Sequence, residues 1–376
     1  MQLSDLKGKK ILILGFAREG KDTFSFLKNK FPGQIIGIAD QKEDIFQGTK
    51  DEAVLHLGKN YAQAVQNYDV IIKSPGIPQK AISRFLSKNQ ILTSQTQLFF
   101  DNCQGTVIGV TGTKGKSTTS SLIYQVLKAG GISAHLIGNI GKPVLSFIEK
   151  QNPQDVFVYE LSSFQLEHLT RSPHIAVLLN LYPEHLDRYQ NFGAYQNAKA
   201  RITQYQTKAD FLVYNKADPL VARIAKQSNA SLLPFTYKKT QAPWVASSEP
   251  ARIIGKLFSI PSKTIEKAIQ DFKPLPHRLQ PVGTYQGISF YNDSLATIPE
   301  SAIAALDALG PNVHTLIAGG FDRGVDMRGL AKRIGKSSIK KLVLFPTTGQ
   351  KLGGKTLLSP YAKRKNLSAK PCRFKL

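Results

Sequence analysis

Cysteine and long apolar runs are both scarce in this chain. Among 376 residues only Cys103 and Cys372 occur, far apart, which excludes a disulfide framework and makes a cysteine-based zinc site untenable. Apolar stretches such as Ile11–Leu14 are interrupted by glycine or charge. They fall well short of the roughly 20 residues of a membrane span. The start, MQLSDLKGKKILILG, lacks the apolar core and cleavage site of a signal peptide. We therefore expect a cytoplasmic protein without membrane insertion.

Acidic residues are also few, since 26 Asp and Glu face 50 Lys and Arg and leave a net charge of +24. Much of the excess is local, because residues 332–376 contain 13 Lys or Arg and no Asp or Glu. A P-loop ATPase that binds nucleic acid would fit the charge. However, no basic stripe interleaved with aromatic residues and no nucleic-acid module is present. We therefore expect small anionic ligands and no specific nucleic-acid partner. We also expect a monomer.

Three successive blocks alternate strand-like and helix-like patterns, which predicts an α/β fold of three domains. Residues 1–103 read as a Rossmann-like parallel sheet, 104–274 as a central P-loop ATPase-like domain, and 275–376 as a second Rossmann-like domain. In the first block Gly15 is not followed by the second glycine of a GxGxxG motif. This favours a looser nucleotide-type site over a dinucleotide site. After Gln350 the periodic pattern is lost.

The stretch VTGTKGKSTTSSLIYQVLK, residues 110–128, is typical of a phosphate-binding loop between a strand and a helix. Glycines allow main-chain amides to converge on a phosphate, a lysine reaches the β- and γ-phosphates, and a following hydroxyl ligates Mg²⁺. A strict GxxxxGK[ST] match fails, because Val110 stands at the first glycine. The residues predicted to bind ATP here are Gly112, Thr113, Lys114, Gly115, Lys116, Ser117 and Thr118.

Two further residues, Glu160 and His185, are candidates for a magnesium site beside this loop. Glu160 ends an apolar strand, where a carboxylate needs a partner such as a hard cation. His185 follows the next strand and would lie at the same sheet edge. Lys199 lies in a helical stretch, and its spacing alone does not separate a functional lysine from a surface one.

Seven segments occur in an order and spacing that resemble the Mur ligase family. They are GTKGKST, GNIGKP, ELSSFQLE, EHLDRY, YQNAKARI, LPHRLQ and YNDSLAT. The resemblance covers residues 8–350 and, with GFAREGKDT and SPGIP, points to the D-glutamate-adding branch. It implies a three-domain, ATP- and Mg²⁺-dependent amide ligase that joins D-glutamate to UDP-N-acetylmuramoyl-L-alanine through an acyl phosphate, in peptidoglycan precursor synthesis.

The resemblance also implies a role for each matching residue. Lys116, Lys199 and His185 would be catalytic, and Lys199 would carry a carbamyl group. Magnesium ligands would be Ser117, Glu160, His185 and carbamylated Lys199. Arg278 and Asp293 would contact ATP from the third domain. The UDP-linked substrate would be held by Gly15, Arg18, Asp40, Ser74, Gly76, Asn139, Ser162 and Gln165. The amino acid would face Thr297 and Arg323.

Several positions depart from the family pattern. The segment 245–260 lacks the histidine and asparagines expected before the third domain, and Leu295 and Ile298 replace familiar Lys and Asn. After 358–360 the chain turns basic and aperiodic, so we expect an incomplete third domain. Two alternatives therefore stay open: a degenerate, non-catalytic homologue that binds nucleotide, and another Mur-type amino-acid ligase. A folylpolyglutamate synthase relative is disfavoured, because that branch lacks the domain that carries SPGIP.

Overall fold

The computed structural model describes residues 1–46, 53–141, 144–237, 247–273, 275–322, 324–357 and 368–371. The strands are β1 Ile11–Leu14, β2 Ile36–Asp40, β3 Val54–Leu57, β4 Val70–Lys73, β5 Ile91–Thr93, β6 Thr106–Thr111, β7 Ala134–Gly138, β8 Val156–Glu160, β9 Ile175–Leu178, β10 Phe211–Asn215, β11 Ser231–Phe235, β12 Gln280–Tyr285, β13 Ile288–Asn292, β14 Thr315–Gly319, β15 Lys341–Phe345 and β16 Ser368–Pro371.

The α-helices of the described residues are α1 Arg18–Lys30, α2 Gln95–Asn102, α3 Lys116–Ala129, α4 Leu145–Ile148, α5 Ser163–Leu166, α6 Phe192–Gln204, α7 Pro219–Ala225, α8 Glu249–Leu257, α9 Ser262–Gln270, α10 Pro299–Leu309, α11 Arg328–Gly335 and α12 Thr348–Leu357. None of these helices is long and apolar enough to cross a bilayer.

The first sheet has five parallel strands in the order β3-β2-β1-β4-β5. All four residues of β1 and of β4 are buried, as expected for parallel strands covered on both faces. Ligand loops in such sheets lie at the carboxyl ends of the strands, beside the point where the strand order reverses. Gly15, Asp40 and Ser74 stand at the ends of β1, β2 and β4, and so share one edge.

The second sheet has six parallel strands in the order β11-β10-β9-β6-β8-β7. Its central strand β6 runs into the phosphate-binding loop, and its neighbours β8 and β9 end at Glu160 and Leu178. The loop, Glu160 and the segment after Leu178 therefore meet at one edge. This topology brings together residues that lie up to 70 positions apart in sequence.

Helix α2 joins the first sheet to the second. Its Phe99 is fully buried and meets Phe157 and Tyr159 of β8 edge-on, with ring centroids 5.3 and 5.5 Å apart. Such edge-to-face geometry is favourable beyond the burial of apolar area. One continuous apolar cluster includes residues of both sheets, so the two units pack as one body here.

The last part of the chain forms the antiparallel hairpin β12–β13 and a parallel sheet β14-β15-β16. Helices α10, α11 and α12 contribute to a separate apolar cluster over the second of these. Regular structure continues beyond Gln350, where the periodic pattern of the sequence is lost. Helix α12 continues to Leu357, and β16 pairs with β15, because a basic edge strand can be held by main-chain hydrogen bonds without an apolar pattern.

The α/β fold class is confirmed by these parallel sheets. The boundaries at 103/104 and 274/275 stay predictions. They fall between the described sheets, since the first sheet ends at Thr93, the second spans Thr106 to Phe235, and β12 begins at Gln280.

The packing of α2 predicts a large effect of Phe99→Ala. Removing a fully buried phenyl ring from between two sheets leaves a cavity, at a cost of about 3–5 kcal/mol. Phe290→Ala is the matched control, because that ring is 47% exposed on the hairpin and its loss should cost about 1 kcal/mol or less. Urea unfolding followed by circular dichroism measures both. Equal midpoint shifts for the two variants would contradict the assigned role of α2.

Candidate active site

The phosphate-binding loop follows β6 directly. Gly112 and Gly115 have φ values of +153° and +85°, in the region that favours glycine. A Cβ at Gly112 would also lie 2.8 Å from Leu179 Cβ on the neighbouring strand exit. Helix α3 begins at Lys116, directly after Gly115. Its first amides have no partner within the helix, and together with the helix dipole they form an anion site.

Lys116 lies over this loop. Its Nζ donates to the carbonyls of Gly112 at 3.0 Å and Thr113 at 2.9 Å. Burial lowers the pKa of the ammonium, while Glu160 and Glu184 act in the opposite direction. These two main-chain carbonyls therefore hold the Lys116 ammonium against the predicted phosphate-binding loop.

The segment after β9 fixes the first half of the loop. Thr113 N donates to Asn180 O at 2.8 Å, and Lys114 N donates to Asn180 Oδ1 at 2.8 Å. The Asn180 amide returns a bond to Lys114 O at 3.0 Å. These two loop amides are thus used within the protein, so the amides free to face a phosphate belong to the start of α3. That start also holds Ser117 and the buried Thr118.

Lys114 points to a carboxylate that the sequence did not single out. Its Nζ lies 2.9 Å from Glu184 Oε1 and donates to Thr297 Oγ1 at 2.6 Å. Thr297 Oγ1 in turn donates to Glu184 Oε1 at 3.2 Å. Burial alone would raise the pKa of Glu184, but the charge and hydrogen bond of Lys114 outweigh it and lower the pKa. In the sequence, only the position of Glu184 directly before His185 in EHLDRY could have indicated that it is a functional residue.

Two residues predicted to contact ATP come to the loop from beyond β11. Arg278 Nη2 donates to Ser117 Oγ at 3.2 Å. Asp293 accepts a bond from Leu279 N at 2.9 Å, and burial raises the pKa of its carboxyl group. His277 and Leu279, on either side of Arg278, have φ values of +62° and +44°. Such strained backbone in non-glycine residues is typical of functional sites.

Glu160 ends β8 and is only 1% exposed. Asn139 Nδ2 donates to its Oε1 at 3.3 Å, whereas Oε2 is buried without a hydrogen-bond partner. An orphaned buried carboxylate oxygen is costly, and a cation is the partner that would offset the cost. In the described part of the chain no three His, Cys, Asp or Glu side chains cluster as a complete metal site. Glu160 therefore fits a magnesium ion only if other oxygen ligands complete the shell.

Lys199 is buried in α6, also at 1% exposure. Burial and then the charge of Lys116 hold the pKa of its amine well below the ordinary value. Its Nζ lies 3.3 Å from Thr111 Oγ1 and 5.0 Å from the centre of the Tyr195 ring. The Tyr195 hydroxyl also bonds Thr113 Oγ1 at 3.0 Å, so this tyrosine, absent from the sequence predictions, links Lys199 to the loop.

His185 occupies a left-handed backbone conformation with φ +58°. Its Nε2 lies 3.8 Å from Glu184 Oε2, and its ring centroid lies 4.9 Å from that of Phe164. The strained turn places this imidazole beside the Lys114–Glu184 pair. The role of His185 as a magnesium ligand stays a prediction.

The residues predicted to hold the UDP-linked substrate line the edge between the first two sheets. Ser74 Oγ donates to Gly15 O at 2.8 Å, and Phe16 N donates to Asp40 Oδ2 at 2.7 Å. These bonds tie the three strand-end loops together. Gly15, with φ +92°, admits no side chain, because a Cβ would lie 2.8 Å from Ser74 Cβ.

The central sheet contributes the other wall. Arg18 donates to the carbonyl of Gly141, two residues after Asn139. Arg188 donates to the carbonyls of Pro75 and Gly76. Ser162 and Gln165 form a capping box at the start of α5, in which Gln165 Oε1 accepts from Ser162 N at 2.9 Å.

Gln165 also donates to Glu19 Oε1 at 2.8 Å, and burial raises the pKa of Glu19 to about 6. These contacts connect α1 and the strand-end loops of the first sheet to the segments of the central sheet unit that carry Gly141, Gln165 and Arg188. Arg323 lies outside the described residues.

Comparison with known proteins agrees with this geometry. The family model described as Mur ligase middle domain matches residues 110–270. A UDP-N-acetylmuramoylalanine–D-glutamate ligase of Geotalea daltonii is 31% identical over 91% of this chain and 83% of its own length. The ligase of the same name from Streptococcus pyogenes serotype M5 is 32% identical over 93% of this chain and 84% of its own length.

Two further similarities bear on the fold and on the amino acid. A UDP-N-acetylmuramoyl-L-alanine–L-glutamate ligase of Xanthomonas oryzae pv. oryzae is 30% identical over 96% of this chain and 84% of its own length. Among solved structures, the UDP-N-acetylmuramate-alanine ligase MurC of Thermotoga maritima superposes with a TM-score of 0.60 at 15% identity. The match covers 97% of this chain and 90% of that one, and it supports the three-domain α/β fold.

The lowered pKa of Glu184 predicts a pH dependence of stability. A carboxyl group whose pKa is lower in the folded state stabilises the protein above its unfolded pKa of about 4.3. That contribution is lost as the pH falls through the folded pKa. We expect Glu184→Gln to lower the melting temperature at pH 7, and the difference from wild type to shrink below about pH 4.

Calorimetric scans between pH 3 and pH 7 measure this difference. Glu249→Gln is the control, because Glu249 lies in a more exposed ion pair with Arg252, for which a small effect is expected. A constant difference between wild type and Glu184→Gln at all pH values would contradict the assignment.

Proposed function

This chain belongs to the Mur ligase family, and we propose that it is an ATP-dependent amide ligase that adds D-glutamate to UDP-N-acetylmuramoyl-L-alanine in peptidoglycan precursor synthesis. The observation that supports this most is a convergence at one sheet edge. A phosphate-binding loop, a buried carboxylate with a free oxygen and an arginine from a separate sheet unit meet there. Each serves a different part of a ligase reaction.

The reaction that fits this site has two steps. A carboxylate oxygen of UDP-N-acetylmuramoyl-L-alanine attacks the γ-phosphorus of ATP, and ADP leaves. The uncharged amine of glutamate then attacks the acyl phosphate, loses a proton, and inorganic phosphate leaves as the amide forms. Phosphoryl transfer needs positioning and neutralisation of charge more than covalent help from the protein. Lys116, which contacts the phosphate-binding loop, and Arg278, which contacts Ser117 at the start of α3, supply cationic groups.

Glu160 would be the protein ligand of Mg²⁺, with Ser117, His185 and carbamylated Lys199 as the further ligands proposed from the family pattern. When bound, the ion would neutralise phosphate charge and polarise the transferred group. The orphaned Oε2 of Glu160 supports this assignment. The buried amine of Lys199 supports its carbamylation, because only the unprotonated amine adds CO₂ and the pKa of Lys199 is strongly lowered.

The glutamate would bind where the β13–α10 connection meets the phosphate loop. Thr297 lies there, in contact with Lys114 and Glu184. We propose the D-enantiomer, because the relatives from Geotalea and Streptococcus bear that name. The L-glutamate ligase is the second candidate, because the Xanthomonas relative is almost equally similar and covers more of this chain.

Turnover distinguishes these possibilities. The protein is incubated with ATP, Mg²⁺ and UDP-N-acetylmuramoyl-L-alanine, with D-glutamate, L-glutamate or meso-diaminopimelate, and phosphate release and the amide product are measured. We expect release with D-glutamate alone. Release with L-glutamate alone would support the second candidate. ATP binding without release in any mixture would identify a degenerate, non-catalytic homologue.

Glu160→Gln should separate stability from activity. The substitution removes a buried, half-paired negative charge, so we expect the ligand-free variant to melt at the same temperature as wild type or higher. Ligation should fall by at least about 100-fold if Glu160 holds the cation. Glu149→Gln, at a partly exposed position, is the control and should leave both unchanged. Full ligase activity of Glu160→Gln would exclude Glu160 as the metal ligand.

A further inference from the structure

Lys114 and Lys116 lie two positions apart at the phosphate-binding loop, but their side chains contact different groups. Lys116 Nζ donates to two carbonyls of the loop itself. Lys114 Nζ instead donates to Glu184 Oε1 at 2.9 Å and to Thr297 Oγ1 at 2.6 Å. The main-chain amide of Lys114 is also occupied, because it donates to Asn180 Oδ1 at 2.8 Å. The loop pattern predicts ATP binding for Lys114, whereas its ammonium contacts the connection between β13 and α10.

The turn that carries Thr297 is held by its own hydrogen bonds. Ala296 N donates to Asp293 O at 2.8 Å, and Thr297 N donates to Leu295 O at 3.0 Å. Leu295 is 43% exposed and stands where lysine is familiar in the family pattern. The ammonium of Lys114 therefore brings to this turn a positive charge that residue 295 does not supply.

The Lys114 ammonium can still accommodate another acceptor. An ammonium has three N–H donors, and among the described residues Glu184 and Thr297 provide two acceptors. The side chain of Lys114 is 19% exposed and that of Glu184 is 6% exposed, so the pair is largely shielded while the lysine stays accessible. Partial exclusion of water strengthens the attraction between an ammonium and a bound carboxylate.

Positive groups outnumber the single carboxylate at this pair. Burial acts to raise the pKa of Glu184, but Lys114, Lys116 and His185 outweigh it and lower the pKa. The pKa of Lys116 is lowered by burial and also by the charge of Lys114. A further carboxylate beside Lys114 would reduce this repulsion between the two lysines.

We propose that Lys114, together with the hydroxyl of Thr297, binds the α-carboxylate of the incoming glutamate, and that Glu184 positions the lysine side chain. This inference rests on the proposed ligase function and names a binding residue for its amino-acid substrate. In glutamate one carbon atom separates the reacting amine from the α-carboxylate, whereas three separate it from the side-chain carboxylate. A lysine of the phosphate-binding loop therefore meets the carboxylate nearest the amine that attacks the acyl phosphate.

Glutamate binding tests the assignment without turnover. The thermal shift caused by D-glutamate or L-glutamate is measured with Mg²⁺, UDP-N-acetylmuramoyl-L-alanine and a non-hydrolysable ATP analogue present. We expect glutamate to stabilise wild type, and Lys114→Met to need at least about tenfold more glutamate for the same shift, because a charge-assisted hydrogen bond is lost. Lys128→Met, at an exposed lysine near the other end of α3, is the matched control and should behave as wild type.

Steady-state kinetics locates the effect on one substrate. Lys114→Met should raise the KM for glutamate at least about tenfold, while the KM for ATP and for the UDP-linked substrate changes little. Isoglutamine, in which an amide replaces the α-carboxylate, should be a poor substrate for wild type and Lys114→Met alike. A carboxylate contact predicts this equal response, because the group that Lys114 binds is already absent.

Two double variants separate binding from folding. Lys114→Met/Glu184→Gln removes both charges of the pair, so no buried charge is left alone. It should melt close to wild type and still bind glutamate weakly. Lys114→Met/Leu295→Lys returns an ammonium to the turn beside Thr297, at an exposed position, and should recover part of the glutamate affinity.

Several results would overturn the proposal. They are equal glutamate responses of wild type and Lys114→Met, no response of wild type to either enantiomer, and weakened binding of ATP alone in Lys114→Met. The last result would assign Lys114 to ATP, as the loop pattern predicts. A wild-type protein that binds glutamate through Lys114 but shows no turnover would contradict the ligase function and support the Lys114 assignment, so the two failures are distinguishable.

Discussion

The site depends on charged side chains that are buried at the carboxyl edge of the central sheet. Glu160 and Lys199 are almost inaccessible to water, and Lys116 has a pKa lowered by burial. Few charged groups in folded proteins are buried without full pairing. Parallel strands enforce the arrangement, because β6 and β8 must end side by side. The buried charged groups at this edge lack full partners within the protein. Anionic phosphates and a cation together can supply those partners.

The hairpin and its flanking loops complete this edge from outside the two larger sheets. Arg278 reaches Ser117, and Thr297 reaches Lys114 and Glu184, so both contacts fall on the phosphate loop or its direct neighbour. The backbone on each side of Arg278 is in an uncommon left-handed conformation, as is typical of functional sites. The hairpin itself carries exposed aromatic residues and has little core of its own. Its placement therefore depends strongly on these polar contacts.

The sequence predicted much of this edge because its parts follow from local rules. A strand followed by a glycine-rich turn and a helix predicts a phosphate-binding loop. A carboxylate at the end of an apolar strand, such as Glu160, predicts a buried group that needs a partner. Glu184 and Tyr195 could not be found in this way. Their character comes from neighbours more than 60 residues away: Lys114 for Glu184 and Thr113 for Tyr195. Secondary-structure patterns carry no information on such pairs.

Carbamylation of Lys199 would change how the buried charges of the site interact. Burial, and then repulsion between this ammonium and Lys116, lower the pKa of the Lys199 amine, so the amine tends to be neutral. A neutral amine is the form that adds CO₂, and the resulting carbamate carries a negative charge. The modification would convert a repulsive Lys116–Lys199 pair into an attractive one and would place a second anionic oxygen ligand near Glu160. The burial that makes Lys199 costly as an ammonium thus makes it well suited to this modification.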